Sequence, residues 1–115
     1  MSQTWVVLLH GDEKAWESAD EATRAAAYAD HDAFSAACAE RGHTIVGGHE
    51  LASSSRAVVV RNDAEGHTVT DGPYAEAVEQ LGGYYAVETD DVQDLARLVV
   101  QVLSPGEAAE IRPVA

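Results

Sequence analysis

Strand, helix and strand patterns follow one another twice along this chain, and a hairpin separates the two runs. The first run is the buried strand "TWVVLLHG" (residues 4–11), a helix from Ser18 to about Arg41, and "HTIVGGHEL" (43–51), a short strand expected to break at Gly47-Gly48. The second is "GGYYAVE" (82–88), a helix capped by Asp90 or Asp91 with Val92, Leu95, Val99 and Leu103 on its apolar side, and "AEIRPV" (109–114). Between them, "SSSRAVVVRN" and "HTVTD" are joined by the turn "DAEG". Alternation marks the strands and a 3.6-residue period marks the helices. This order predicts an α+β sandwich of ferredoxin-like type, with two helices on one face of an antiparallel sheet and an inserted β-hairpin. The other face is left bare. Trp5, Val7, Leu9, Val58, Val60 and Tyr85 are expected there, and a homodimer packed sheet to sheet, a dimeric α+β barrel, would cover them.

The long helix is expected to open with a capping box of Ser18 and Glu21 and to stop at Gly42. Ala27, His31, Phe34 and Cys38 share one stripe, beside a row of small residues at Ala22, Ala26, Ala29, Ala33 and Ala37. His31 is thus an ionisable group on an apolar face. A neutral imidazole can serve as a general base near pH 7 because its ordinary pKa is about 6.5. The alternative is a core-edge histidine bonded to a carbonyl or a carboxylate.

Twenty acidic residues against seven basic ones give a formal charge of −13. Such a surface repels phosphate backbones and anionic lipid, so neither direct nucleic-acid binding nor membrane association is expected. The 115 residues fit a single domain, residues 1–115. The apolar run Trp5–Leu9 is too short for a signal peptide or a membrane span, and the single cysteine, Cys38, makes no intrachain disulfide. A cytoplasmic protein is expected. His43 and His49 lack the partners of a zinc site, and no glycine-rich loop joins a strand to a helix, so neither a metal nor another cofactor is expected.

The connection "VTDGPYAEAVEQLGGYYAVE" (69–88) is longer than joining two strands requires. Asp71 can accept the Tyr74 amide in a turn, or it can share a cleft with His31. An acidic, helix-prone segment follows Tyr74. Tyr74 and Phe34 are candidate pocket walls, Glu76 a candidate ligand contact, and Glu50 and Glu79 further acidic candidates.

This connection resembles the signature of the DGPF proteins, a branch of the YCII-related family. The pattern there is a strand, Asp-Gly-Pro-Phe-x-Glu, two residues, Glu-Gln-Leu-Gly-Gly and an aromatic strand. "VVLLHGDEKAW", "HDAF", "GGHEL" and "EIRPV" also sit where that family has similar segments, so the resemblance covers nearly the whole chain. Tyr74 replaces the usual Phe, and Ala77-Val78 replaces a Thr-Lys-like pair. The resemblance implies a dimeric ferredoxin-like fold and a cleft with a catalytic His–Asp pair, matched here by His31 and Asp71. Two functions are compatible with it. One is a cofactor-free lyase or isomerase acting on a small molecule. The other is a non-catalytic ligand-sensing or interaction module with a sigma-factor-related regulatory partner.

Overall fold

The computed structural model describes residues 2–115. In chain order the elements are β1 (Gln3–Asp12), α1 (Glu13–Ser18), α2 (Glu21–Glu40), β2 (Thr44–Glu50), β3 (Val58–Asp63), β4 (Gly66–Asp71), β5 (Glu79–Thr89), α3 (Val92–Val99) and β6 (Ala108–Pro113). Four strands form one antiparallel sheet in the order β2-β5-β1-β6, while β3 and β4 pair only with each other. This is the ferredoxin-like α+β fold, with the hairpin inserted between β2 and β5. Among the described residues no helix is long and apolar enough to cross a membrane.

The core lies between sheet and helices. Val7 from β1, Val87 from β5, Phe34 and Cys38 from α2, and Leu95 and Val99 from α3 are buried as one cluster. Leu9 and Tyr85 pack against it. Val7, Leu9 and Tyr85 therefore lie under the helices, not on the open face where the sequence placed them, and Trp5 joins them as the cross-strand partner of Val87. The open side carries Val6, Leu8, Tyr84 and Ala86, which pair across β1 and β5. One step of strand parity exchanges the two faces completely. Val58 and Val60 stand on the separate hairpin, 64% and 66% exposed.

Three local expectations also change. Asp20, not Ser18, caps α2: its Oδ1 accepts the Thr23 amide at 2.8 Å, while the Ser18 hydroxyl donates to the Lys14 carbonyl at the end of α1. Strand β2 runs through Gly47-Gly48, with its irregularity between Ile45 and Gly47. Residues 72–78 are not helical. Tyr74, Glu76 and Val78 are all exposed, so a helix there would have no buried face to stabilise it, and Gln80 Nε2 ties the segment by donating to the Ala75 and Ala77 carbonyls. Ala22, Ala26, Ala29 and Ala33 of the small-residue row are exposed.

A polar network fixes the C-terminal end of α2. Asp94 accepts Arg41 Nε at 2.7 Å and Arg41 Nη2 at 2.6 Å. His43 Nε2 lies 2.7 Å from Asp94 Oδ2, and His43 Nδ1 lies 2.7 Å from Thr89 Oγ1. The Asp91 amide already donates to Thr89 Oγ1. The two ring nitrogens of His43 thus bridge Thr89 and Asp94. Hydrogen bonds from Arg41, then from His43, hold the Asp94 carboxyl well below the usual carboxylate range. A depressed carboxyl pKa stabilises the fold above the unfolded value of 3.8 and ceases to do so as pH falls through the folded value. Denaturant unfolding of wild type and Asp94→Asn should show a stability gap that is wide at about pH 6 and narrows below about pH 4. A gap independent of pH would contradict this role.

Candidate functional site

A cavity of about 590 Å³ opens where the ends of β1 and β2 and the start of β5 meet α1 and the N-terminal half of α2. That volume suits a small molecule. Trp16, Tyr28 and Tyr85 give it aromatic walls, and His31 lines it.

The imidazole is held by a phenol. His31 Nδ1 lies 2.6 Å from Tyr85 Oη, with the two rings tilted at a centroid separation of 5.8 Å. Phe34, nearly one helical turn after His31, packs against Tyr85 at 5.2 Å. Half-burial lowers the His31 pKa from its ordinary 6.5, against the opposing charges first of Glu107 and then of Glu50, Asp30 and Asp32. Burial, followed by the charges of Cys38 and Asp32, raises the pKa of Tyr85. At neutral pH the pair is therefore a neutral imidazole beside a protonated phenol.

Carboxylates line the same cavity. Both oxygens of Glu50 accept from the Tyr28 hydroxyl, at 3.0 and 2.9 Å, and that bonding raises the Tyr28 pKa. Trp16 stands edge-on to Tyr28 at 5.6 Å. Glu107 reaches the end of β1 at Gly11, where any Cβ would collide with its carboxylate, and its Oε1 accepts the Ser104 amide at 2.6 Å.

Gly48 of β2 makes room for the Tyr85 ring. A Cβ on Gly48 would lie 2.6 Å from the Tyr84 carbonyl oxygen and 3.1 Å from a Tyr85 ring carbon. A Cβ on Gly83 would press on the His49 carbonyl oxygen at 3.1 Å. Gly48→Ala is expected to cost about 1–3 kcal/mol through overpacking against backbone that cannot yield. It should also displace the Tyr85 ring, which near-ultraviolet circular dichroism would register. Unchanged stability with an unchanged aromatic spectrum would contradict the packing described here.

His31 lines this cavity; Phe34, Asp71, Tyr74 and Glu76 do not. Phe34 is fully buried in the core and supports Tyr85 instead of walling the pocket. Asp71 is exposed at the end of β4, opposite Val58. Next to it the Gly72–Pro73 peptide is cis, and the Gly72 amide donates to the Ala57 carbonyl at 2.6 Å. Tyr74 is 75% exposed with the Arg61 guanidinium 5.1 Å from its ring centroid, and Glu76 is exposed beyond it. A His31–Asp71 contact is thus not made within one chain. Strand β4 pairs only with β3, so Asp71 does not end a strand of the sheet that α2 covers, and Tyr85 occupies the Nδ1 position.

Glu50 does line the cavity. Tyr85, Tyr28 and Glu107 were not singled out for it by the sequence. Tyr85 lies two residues before Val87, on the same strand face, and Tyr28 lies three before His31 on the same helix side, so both had a periodic signal. Glu107 arrives on a loop and had none. Burial pushes the Cys38 thiol up to about 11, which leaves it a small apolar group. Among the described residues no three His, Cys, Asp or Glu side chains are grouped to hold a metal ion.

A family model described as a YCII-related domain matches residues 4–113. No curated protein matches the chain.

Proposed function

The chain belongs to the YCII-related family, and we propose that its cavity is the site of a cofactor-free lyase or isomerase reaction on a small molecule, with His31 as the base. The observation that carries this reading is the 2.6 Å contact between His31 Nδ1 and Tyr85 Oη in a cavity of small-molecule size. With hydrogen on Nδ1, the ring donates to the phenol oxygen and the Nε2 lone pair is free. Nε2 then takes a proton from an acidic C–H, enol or phenol of the substrate, and the electron pair of the broken bond moves into the substrate. In an isomerisation the same proton returns at a second atom; in a lyase reaction the electron pair expels a leaving group, which departs with the proton held on Nε2. The intervening imidazolium keeps its Nδ1–H bond to Tyr85, and the charges of Glu107 and Glu50 favour it. The test is deuterium exchange at the C–H bonds of a panel of neutral ketones and 1,3-dicarbonyl compounds, followed by NMR. Acceleration by wild type that His31→Gln abolishes supports the reading. No acceleration with any compound, or acceleration that survives the substitution, opposes it.

A homodimer through the open sheet face belongs to the same proposal. Val6, Leu8, Tyr84 and Ala86 form an apolar strip there, bordered by Glu88 and by the Glu110–Arg112 ion pair. Sedimentation equilibrium at micromolar concentration should give twice the chain mass, and Leu8→Glu should give one chain mass. A monomeric wild type would contradict it. A part for Asp71, Tyr74 or Glu76 in the reaction requires delivery from the second copy. Mixing His31→Gln with Asp71→Ala protein would then restore activity in the hybrid dimer.

The hairpin favours a second reading, a ligand-sensing or interaction module with a sigma-factor-related partner. Val58, Val60 and Val69 lie on one side of it, all at least 60% exposed, and a lone two-stranded hairpin is marginal in water. Binding at the cavity without turnover would favour this reading over the enzyme.

A further inference from the structure

The fixed charge of the cavity restricts what can enter it. Asp12, Glu13, Glu17, Asp30, Glu50 and Glu107 line it, against Arg24 as the lining Lys or Arg among the described residues. Several of these carboxylates accept hydrogen bonds: Asp12 from the Ala15 amide at 3.1 Å, Glu13 from the Ser54 amide at 3.0 Å, and Glu50 and Glu107 as described above. Neutral N–H and O–H donors orient a carboxylate without cancelling its charge. Arg24 bonds backbone carbonyls and not these carboxylates. Its Nη2 donates to the Glu17 and Trp16 carbonyls at 2.7 and 3.1 Å, and its guanidinium lies over the Trp16 ring. Except for the partly buried Glu13 these carboxylates are exposed, so the negative charge stands at the open rim, where an anionic molecule is repelled and a cation is drawn in. The aromatic side chains of Trp16, Tyr28 and Tyr85 add area for an apolar body.

We propose that the cavity selects a protonated amine carried on an aromatic or apolar body, with Glu50 and Glu107 as its anchors. Both carboxylates line the same cavity as His31, and their charges oppose the effect of burial on its imidazole. An ammonium held by these carboxylates shares the cavity with His31, and an ammonium adjacent to a C–H makes it more acidic. The inference rests on the reading of the cavity as a small-molecule site.

Titration of the full chain with 2-phenylethylamine, 2-phenylethanol and 3-phenylpropionate, followed by calorimetry and tryptophan fluorescence, tests it. The amine should bind at least about tenfold more tightly than the alcohol, and the carboxylate more weakly than either. Added salt should weaken the amine alone. Glu50→Gln and Glu107→Gln should each weaken the amine about tenfold and leave the alcohol unchanged. Equal binding of amine and alcohol, tighter binding of the carboxylate, or amine binding indifferent to salt and to both substitutions would overturn the charge selection. Alcohol binding would at the same time keep the cavity as a site. If none of the three binds, the selection is overturned, while the loss of deuterium exchange in His31→Gln still decides the catalytic reading separately.

Discussion

Phe34→Ala is expected to remove about 3–5 kcal/mol of stability, the loss usual for truncating a buried aromatic side chain. A domain of this kind has about 5–15 kcal/mol in all, so urea unfolding should show a large fall in midpoint. The size of the effect follows from position. Phe34 has no exposed surface and sits between α2 and the sheet among Val7, Val87 and Leu95. A second consequence is local. The Phe34 ring packs on Tyr85, so the phenol that meets His31 loses its backing. Phe34→Leu keeps most of the volume and should cost clearly less. A loss below about 1 kcal/mol in Phe34→Ala would show that the helix does not bury this residue as described.

His31→Gln is expected to lower the rate of base-catalysed exchange by about 10²–10⁴-fold, the range that a positioned proton acceptor contributes. The fold should survive, because the side chain is only half-buried at the rim of the core. Burial depresses the pKa below 6.5, so the base stays active below that pH, and the acid limb of the rate profile should fall only under it. The same shift has a sign for stability. Between the folded and unfolded pKa values the unfolded chain binds more protons, so acidification through this window destabilises the fold. His31→Gln should remove that part of the pH dependence. Tyr85→Phe keeps the ring but loses the hydroxyl, and should lower the rate by less than the loss of the base does.

The fold was legible because its signals are local. Strand alternation, the period of α2 and the turn at residues 63–66 need no long-range information, and together they allow few topologies. The His31–Phe34–Cys38 stripe was legible for the same reason. Parity on β1 and β5 was not. Both strands are apolar on both sides, so alternation does not say which side the helices cover, and Tyr85 was assigned to the wrong face. Asp71, at the end of a good strand, was matched with His31 as a cleft pair. Whether β4 joins the main sheet or pairs only with β3 depends on hydrogen bonds that composition does not record. Asp94 illustrates the remaining gap. Arg41, His43, Thr89 and Asp94 are distributed over the chain, and only the folded topology brings them to one point.

A pH titration of the His31 ring by NMR, with and without saturating 2-phenylethylamine, tests whether a neutral imidazole held by Tyr85 faces a ligand in this cavity. The account predicts a midpoint below the ordinary 6.5, a midpoint that changes in Tyr85→Phe, and ring signals that move when the amine is added at pH 7. A midpoint at or above 6.5, unchanged both by Tyr85→Phe and by the amine, would contradict it.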